Sequence, residues 1–382
     1  MRILVLTGIR SEYDMLYPVL KELQKDNHIS IVVSGAHLSD QHNKTIKYIK
    51  KDKFKIVDLI DSLISTDRLV QRSKGLGMLI QGLSQSVERE NPDILIVIGD
   101  REESIAAGIV ANYMNKILVH IGGGDPVYGN SDDPMRYAVS KLAHLHCCIA
   151  DVHAKNLKKI GEEKFRIFFT GNPSYTNIKN VPKIKKHKLL SKLNIKNSNY
   201  IVLIKHPLSS EYEDAYEQMK ITLQSLKSFC LTYNYQTICI NPNSDPGSYM
   251  IRNAIKEYVN ENWFISFDTL PRLDFINLIR NSKALIGNSS MGIIESPYYK
   301  IPVINVGNRQ KGRVHAKNVE FVTYSQNKII KSLINACLNK IYRKGIKNIN
   351  NPYGDSSAAN KICQAIKKIN LKDNKWKIKK NL

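Results

Sequence analysis

The sequence predicts an α/β protein made of two Rossmann-like, doubly wound domains facing a central cleft. Three observations predict it. Short, near-continuous runs of β-branched and aliphatic residues recur between Gly, Asp and Pro, as a parallel sheet covered on both faces requires. Stretches with helical spacing separate them. The pattern also runs through twice, and 382 residues exceed what one hydrophobic core usually serves.

In the first half the strand candidates are Ile3 to Leu6, Ile31 to Val33, Ile94 to Ile98, Ile117 to His120, Cys147 to Ala150 and Ile167 to Phe169. Helical patterns fall at about 14–25, 74–90, 102–115, 134–144 and 152–160. The second half repeats this grammar with strands at 200–204, 237–240, 263–266, 284–286 and 303–306 and helices near 212–231, 248–260, 272–281, 291–299 and 327–340. The boundary is placed after Asn172, giving domains 1–172 and 173–355. Lys179 to Lys196 carries too few large apolar residues to read as core. Residues 356–382 form a last helix and a basic tail able to pack back on either domain.

Composition limits the function classes. No apolar run approaches the length of a bilayer span, and the N-terminus enters Arg2-Ile-Leu-Val-Leu6 without the regions of a signal peptide, so a cytoplasmic protein with no membrane partner is expected. The six cysteines, at 147, 148, 230, 239, 337 and 363, lack metal or redox spacing and read as reduced core thiols. The net charge is +23, but the lysines are spread along the chain among Asn and Ile. That reads as a solvated basic surface in preference to a nucleic-acid interface, and it favours an anionic small substrate. A homo-oligomer, dimer or tetramer, is expected.

In doubly wound folds ligands bind at the carboxyl ends of the strands, and here those loops carry the chemistry. They include Thr7-Gly-Ile-Arg10-Ser-Glu-Tyr13, Gly99-Asp100-Arg101-Glu-Glu103, and His120-Ile-Gly122-Gly-Gly-Asp125 leading to Asp132-Asp133 and Arg136. Carboxylates gathered in one place have their pKa values pushed apart, which supplies a base and an acid. A divalent metal is a competing use of such residues, weakened by Arg10, Arg101 and Arg136 beside them, and capping of helices is a third. The glycines lack the dinucleotide spacing, which argues against a redox cofactor. His144 and His146 lie at the end of a helical pattern, where core or capping roles are commoner than contact with a site.

In the second half Pro207 holds His206 extended at a strand end, aiming its imidazole at the cleft. Gly287-Asn-Ser289-Ser290-Met-Gly-Ile-Ile-Glu295 follows a buried strand and opens a helical pattern, which suits a phosphate on free N–H groups with Glu295 near a sugar hydroxyl. Taken alone, it suits an ordinary N-cap better. Arg313 is able to neutralise a diphosphate with paired hydrogen bonds.

These segments, together with Ser140-Lys-Leu-Ala-His-Leu-His146, Pro242-Asn243 and Arg309-Gln-Lys-Gly-Arg313, resemble the hydrolysing UDP-N-acetylglucosamine 2-epimerases of sialic acid biosynthesis, with a fold like that of the GT-B glycosyltransferases. They run in family order through almost the whole chain. The resemblance implies that UDP is held by Arg10, Arg101, His206, Asn243, Ser289, Ser290, Glu295 and Arg313, with the backbone near Leu270 at the uracil. It implies loss of UDP across C1 and C2 to a 2-acetamidoglycal, then hydration to the 2-epimer, with no cofactor or metal. Asp100 and Asp125 are the first choices for proton transfer and Asp132 the third. Three departures fall on the sugar side, which also takes in Arg136 and His146: Gly122 replaces Glu or His, the loop before Arg136 is one residue longer, and Tyr137 replaces a His. They point to a different sugar, such as a 4-acetamido-6-deoxy analogue in a legionaminic-type pathway.

Overall fold

The computed structural model describes residues 1–64, 68, 70–127, 132–242 and 245–380. The chain divides into two compact units, Met1–Pro126 with Ser131–Lys179 and Tyr353–Leu382, and Val127–Asn130 with Asn180–Pro352.

Unit 1 contains seven parallel strands, β1 (Arg2–Thr7), β2 (His28–Ser34), β3 (Lys55–Ile60), β4 (Ile94–Ile98), β5 (Ile117–Ile121), β6 (Leu145–Cys148) and β7 (Ile167–Phe169), in the spatial order β3-β2-β1-β4-β5-β6-β7. Its helices are α1 (Arg10–Leu23), α2 (Ile46–Lys51), α3 (Val70–Glu90), α4 (Glu102–Tyr113), α5 (Asp132–Leu142), α6 (Asp151–Lys159) and α7 (Ser174–Asn180). Side chains alternate along each strand. Ile3, Val5, Ile94, Ile96 and Ile98 therefore enter one core with Leu16 and Leu20 of α1, while Leu4, Leu6, Leu95 and Val97 enter another with Leu79 and Leu83 of α3 and Ala107 and Val110 of α4.

Unit 2 repeats the plan with β8 (Tyr200–Ile204), β9 (Gln236–Ile240), β10 (Phe264–Phe267), β11 (Ala284–Gly287), β12 (Val303–Val306) and β13 (Val319–Val322), ordered β10-β9-β8-β11-β12-β13. Its helices are α8 (Lys186–Lys192), α9 (Ala215–Tyr233), α10 (Ser248–Lys256), α11 (Arg272–Asn281), α12 (Ser290–Ile294), α13 (Ser296–Tyr299), α14 (Gln326–Leu338) and α15 (Lys340–Ile346). In each sheet the winding reverses between two central strands, β1 and β4 in one and β8 and β11 in the other.

Several sequence expectations need correction. The edge strands β3 and β13 were not expected, because Asp58 and Glu320 interrupt their apolar runs. Residues 186–195 are not devoid of core, since Leu189, Leu190, Leu193 and Ile195 are buried. The helix expected over 291–299 is two short ones that meet at Glu295. His146 belongs to β6, and α5 ends at Leu142. Helix α7, beyond the expected boundary at 172, lies mostly within unit 1, where Tyr175 and Ile178 are buried and Thr176 donates to the Ser356 carbonyl at 2.9 Å.

The C-terminal segment completes unit 1. Helix α16 (Ala358–Lys367) buries Ile362, Cys363 and Ile366 in the α1 core. The tail beyond it is fastened by Arg166, fully buried, whose guanidinium donates to the carbonyls of His144 at 3.1 Å, Trp376 at 3.3 Å and Ile378 at 2.7 Å. Beside it Glu162 accepts from His146 Nε2 at 2.8 Å and pairs with Lys379 Nζ at 2.8 Å. All six cysteines are buried free thiols, and among the described residues no helix is long and apolar enough to cross a membrane.

Burial opposes the charge of Glu162, but the His146 hydrogen bond and the Lys379 ammonium outweigh it and hold its pKa at about 2. A depressed carboxylate stabilises above its unfolded value and loses that contribution as pH falls through the folded one. Glu162→Gln is therefore expected to lower the unfolding free energy at pH 7, with the difference from the parent shrinking between about pH 4.5 and pH 2. Urea titrations across that range check it.

Candidate active site

Strand β4 is five apolar residues that end at Gly99, whose N–H reaches the Ile121 carbonyl at 2.9 Å, so Asp100 and Arg101 begin where the sheet stops. Arg101 is the N-cap residue of α4, which leaves the Asp100 side chain turned to a different partner, Arg136 of α5. Arg136 Nη1 also donates to the Gly122 carbonyl at 2.8 Å and lies 3.6 Å from Asp125 Oδ2. Asp125 Oδ1 is 3.3 Å from His153 Nε2 of α6. Burial works against the Arg136 charge, yet Asp100 and Asp125 more than offset it, so its pKa lies above the ordinary arginine value. This carboxylate–guanidinium–carboxylate group is built at the ends of β4 and β5.

Asp132, the first residue of α5, pairs with Arg72 of α3 at 2.8 Å, and Arg72 also pairs with Glu102. The side chain of Asp100 is 16% exposed, that of Asp132 7% and that of Asp125 not at all, so the three are unequal in access. His120 is fully buried, which pulls its pKa down to about 3 and leaves it neutral. Its Nε2 bonds the Gly99 carbonyl at 2.7 Å and its Nδ1 lies 3.2 Å from Ser140 Oγ, tying β5 to the Asp100 turn and to α5. Gly122 has φ of +83°, which a side chain there would strain, and its carbonyl holds Arg136.

Arg10 opens α1, with Nε 3.4 Å from Asp14 and its guanidinium 4.7 Å over the Tyr48 ring. Arg101 lies 3.7 Å from Glu102 and 3.9 Å from Glu103. His146 faces Glu162, with Nε2 2.8 Å from its Oε2, and not the Arg136 group. Among the described residues no group of three or more His, Cys, Asp or Glu is arranged to hold a metal ion.

In unit 2 the residue that joins the strand-end loops is Asn288. It is buried; its side chain accepts from the His206 N–H at 2.7 Å and donates to the His206 carbonyl at 2.8 Å, and its own carbonyl accepts from Gln310 Nε2 at 2.9 Å and Arg309 Nη1 at 3.2 Å. Gln310 Oε1 in turn accepts from Arg313 Nη1 at 2.7 Å. His206, Asn288, Arg309, Gln310 and Arg313 are therefore set by one continuous network, and Ser289 and Ser290 follow Asn288 directly in the chain. Ser289 is the N-cap of α12, but its side chain makes no capping hydrogen bond, unlike an ordinary cap. Helix α12 has five residues, so its start offers local N–H groups and little of a long macrodipole. Glu295 follows directly as its C-cap. Leu270 is buried just before Pro271, the N-cap of α11, and Asn243 lies outside the described residues. Lys205, beside His206, is buried with Nζ 3.0 Å from the Tyr324 hydroxyl, and burial lowers its pKa to about 7.

Sequence reasoning missed Arg72, His153, Gln310 and Lys205. Arg72 and His153 come from the first turns of α3 and α6, where spacing gives no pointer to a strand end; Lys205 stands beside His206 and Gln310 inside a quoted segment, and both were passed over for their neighbours.

A family model described as UDP-N-acetylglucosamine 2-epimerase matches residues 21–367. A UDP-N,N'-diacetylbacillosamine 2-epimerase (hydrolyzing) of Legionella pneumophila is 33% identical over 373 residues, covering 97% of this chain and 96% of the relative. A GDP/UDP-N,N'-diacetylbacillosamine 2-epimerase (hydrolyzing) of Campylobacter jejuni is 33% identical over 323 residues, 83% of each chain. The crystal structure of UDP-GlcNAc 2-epimerase from Neisseria meningitidis bound to UDP-GlcNAc shares the fold, with a TM-score of 0.81 at 19% identity over 97% of this chain and 100% of that one. The chain belongs to the UDP-N-acetylglucosamine 2-epimerase family.

Removing the Arg136 charge strands two carboxylates in a dry place. Arg136→Leu is expected to lower the unfolding free energy by about 3–5 kcal/mol at pH 7, and Arg136→Lys by less. Equilibrium urea unfolding checks both.

Proposed function

We propose that this chain is a hydrolysing 2-epimerase that releases UDP and the free 2-epimer from a UDP-N-acetylglucosamine-type sugar nucleotide. We infer further that its sugar is the 2,4-diacetamido-2,4,6-trideoxy form, for a sialic- or legionaminic-type acid. The observation that carries the reaction class is the Asp100–Arg136–Asp125 group at the end of β4 and β5. The two relatives whose names give a hydrolysing enzyme and a diacetylbacillosamine donor, each 33% identical, support the choice of branch and sugar.

On this reading unit 2 takes the UDP. Ser289, Ser290, His206 and Arg313 meet the diphosphate, Glu295 the ribose, the backbone near Leu270 the base, and Asn243 completes the set. Arg10 and Arg101 add positive charge from unit 1. As the C1–O bond breaks and UDP leaves with its electron pair, oxocarbenium character acidifies the C2 proton, which no base would remove from the resting sugar. Asp100, the most exposed of the three carboxylates, takes that proton. Asp125 and Asp132 are the candidates for returning one to C2 on the other face while water adds at C1. The step needs no cofactor.

The test is turnover in deuterated water followed by proton and phosphorus NMR, with UDP-N-acetylglucosamine and with UDP- and GDP-linked 2,4-diacetamido-2,4,6-trideoxy donors. Free nucleotide diphosphate with deuterium at C2 of the released 2-epimer is expected, fastest with the UDP-linked diacetamido sugar. A nucleotide-linked epimer overturns hydrolysis, and release only on adding an acceptor indicates glycosyl transfer. Asp100→Asn is expected to slow turnover by at least roughly 100-fold with UDP affinity nearly unchanged. Ser290→Ala is expected to weaken UDP binding by calorimetry and to leave the C2 exchange chemistry in place at saturation.

A further inference from the structure

Gly8, which follows β1, has no room for a side chain: a Cβ there would lie 1.6 Å from Glu103 Oε1. A Cβ at Gly35, which follows β2, would lie 2.8 Å from the same oxygen. The chain therefore gives up two side chains to seat one carboxyl at the ends of β1 and β2. Ser34 Oγ donates to that oxygen at 3.3 Å, while Oε2 of Glu103 makes no hydrogen bond and has Arg101 Nε at 3.9 Å. A second carboxyl converges on the same point. Glu12, in the first turn of α1, accepts from the Gly8 N–H at 3.5 Å through Oε2, and its Oε1 makes no hydrogen bond. Both residues are buried.

Two carboxyls that both reach Gly8 in a dry site disfavour each other's charge. The charged groups facing them are Arg101 and Asp100 from the turn after β4 and Glu102 from α4. His37, beyond β2, is bonded to Thr7 and Thr45 and is neutral, with a pKa of about 3 set by burial. Arg101 lowers the pKa of both, while Asp100 opposes it at Glu12 and Glu102 opposes it at Glu103.

We propose that Glu12 and Glu103 are a buried acid pair that positions Arg101 and the Gly99–Asp100 turn for the reaction, one member working as the neutral acid. Neither touches the reacting atoms; both are positioning residues. Burial, then the like charge of Glu103, raises the pKa of Glu12, and burial, then the like charge of Glu102, raises that of Glu103, the direction that favours the neutral acid. Because the raised group must stay protonated to hold Arg101 in place, activity falls as pH rises through its pKa, and this gives an alkaline limb.

The activity arm rests on the proposed sugar-nucleotide reaction; the spectroscopic arm does not. Infrared difference spectra of the full chain at pH 7, parent minus Glu12→Gln, are expected to show the C=O band of a buried protonated carboxyl, and absence of that band overturns the proposal whatever the substrate. In turnover of the UDP-linked donor, Glu12→Ala is expected to lower kcat by at least about tenfold, and Glu12→Gln, a fixed stand-in for the neutral acid, to restore most of it and remove the alkaline limb. A Gln variant as impaired as the Ala variant, with the limb intact, refutes the positioning role. If Glu12→Ala does not fold, the infrared comparison and the Glu12→Gln pH profile decide the question by the same criteria.

Discussion

A parallel sheet sends the carboxyl end of every strand to the same edge, and the crossover helices that join the strands cover its two faces. Where the winding reverses, adjacent strands send their crossovers to opposite sides and leave their ends open. That constraint places the chemistry in each unit of this chain. Gly8 and Gly99 follow β1 and β4, the reversal pair of unit 1, and His206 and Asn288 follow β8 and β11, the reversal pair of unit 2. The carboxylate–arginine group begins at Asp100, just after β4, and the Asn288 network joins the ends of β8 and β11.

Much of this was legible in the sequence because buried central strands must be apolar on both faces. Ile94 to Ile98 and Tyr200 to Ile204 have no polar alternation and were read without ambiguity. The edge strands β3 and β13 escaped for the same reason in reverse: an edge strand is covered less, so Asp58 and Glu320 are tolerated and the run loses its signature. The loops of the site were legible because polar and glycine clusters stand out after apolar runs. Their partners were not. Arg72 and His153 reach carboxylates tens of residues away, and nothing in helical spacing distinguishes them from surface residues. His146 misled because His144 and His146 extend the helical pattern of α5, whereas Leu145-His-Cys-Cys148 is a strand buried on both faces.

The net charge of +23 also acquires a more local meaning. Many lysines are solvated, but the arginines named here are not decoration of the surface. Arg136, Arg166 and Arg313 are buried, and each is fixed by two or more groups or by a rigid hydrogen-bonded partner. Guanidinium suits that work because its planar donors are fixed and its charge persists when buried, whereas burial pulls Lys205 down to about 7.

Gly122 illustrates how a departure in sequence changes meaning in structure. As a sequence difference it is a missing acid or imidazole. In the fold it is a left-handed turn whose carbonyl supplies one of the three oxygen partners of Arg136, with Asp100 and Asp125 as the others. A backbone oxygen brings no proton and no charge of its own. What glycine contributes at this position is the left-handed backbone, which a side chain would strain and which turns that carbonyl onto the guanidinium.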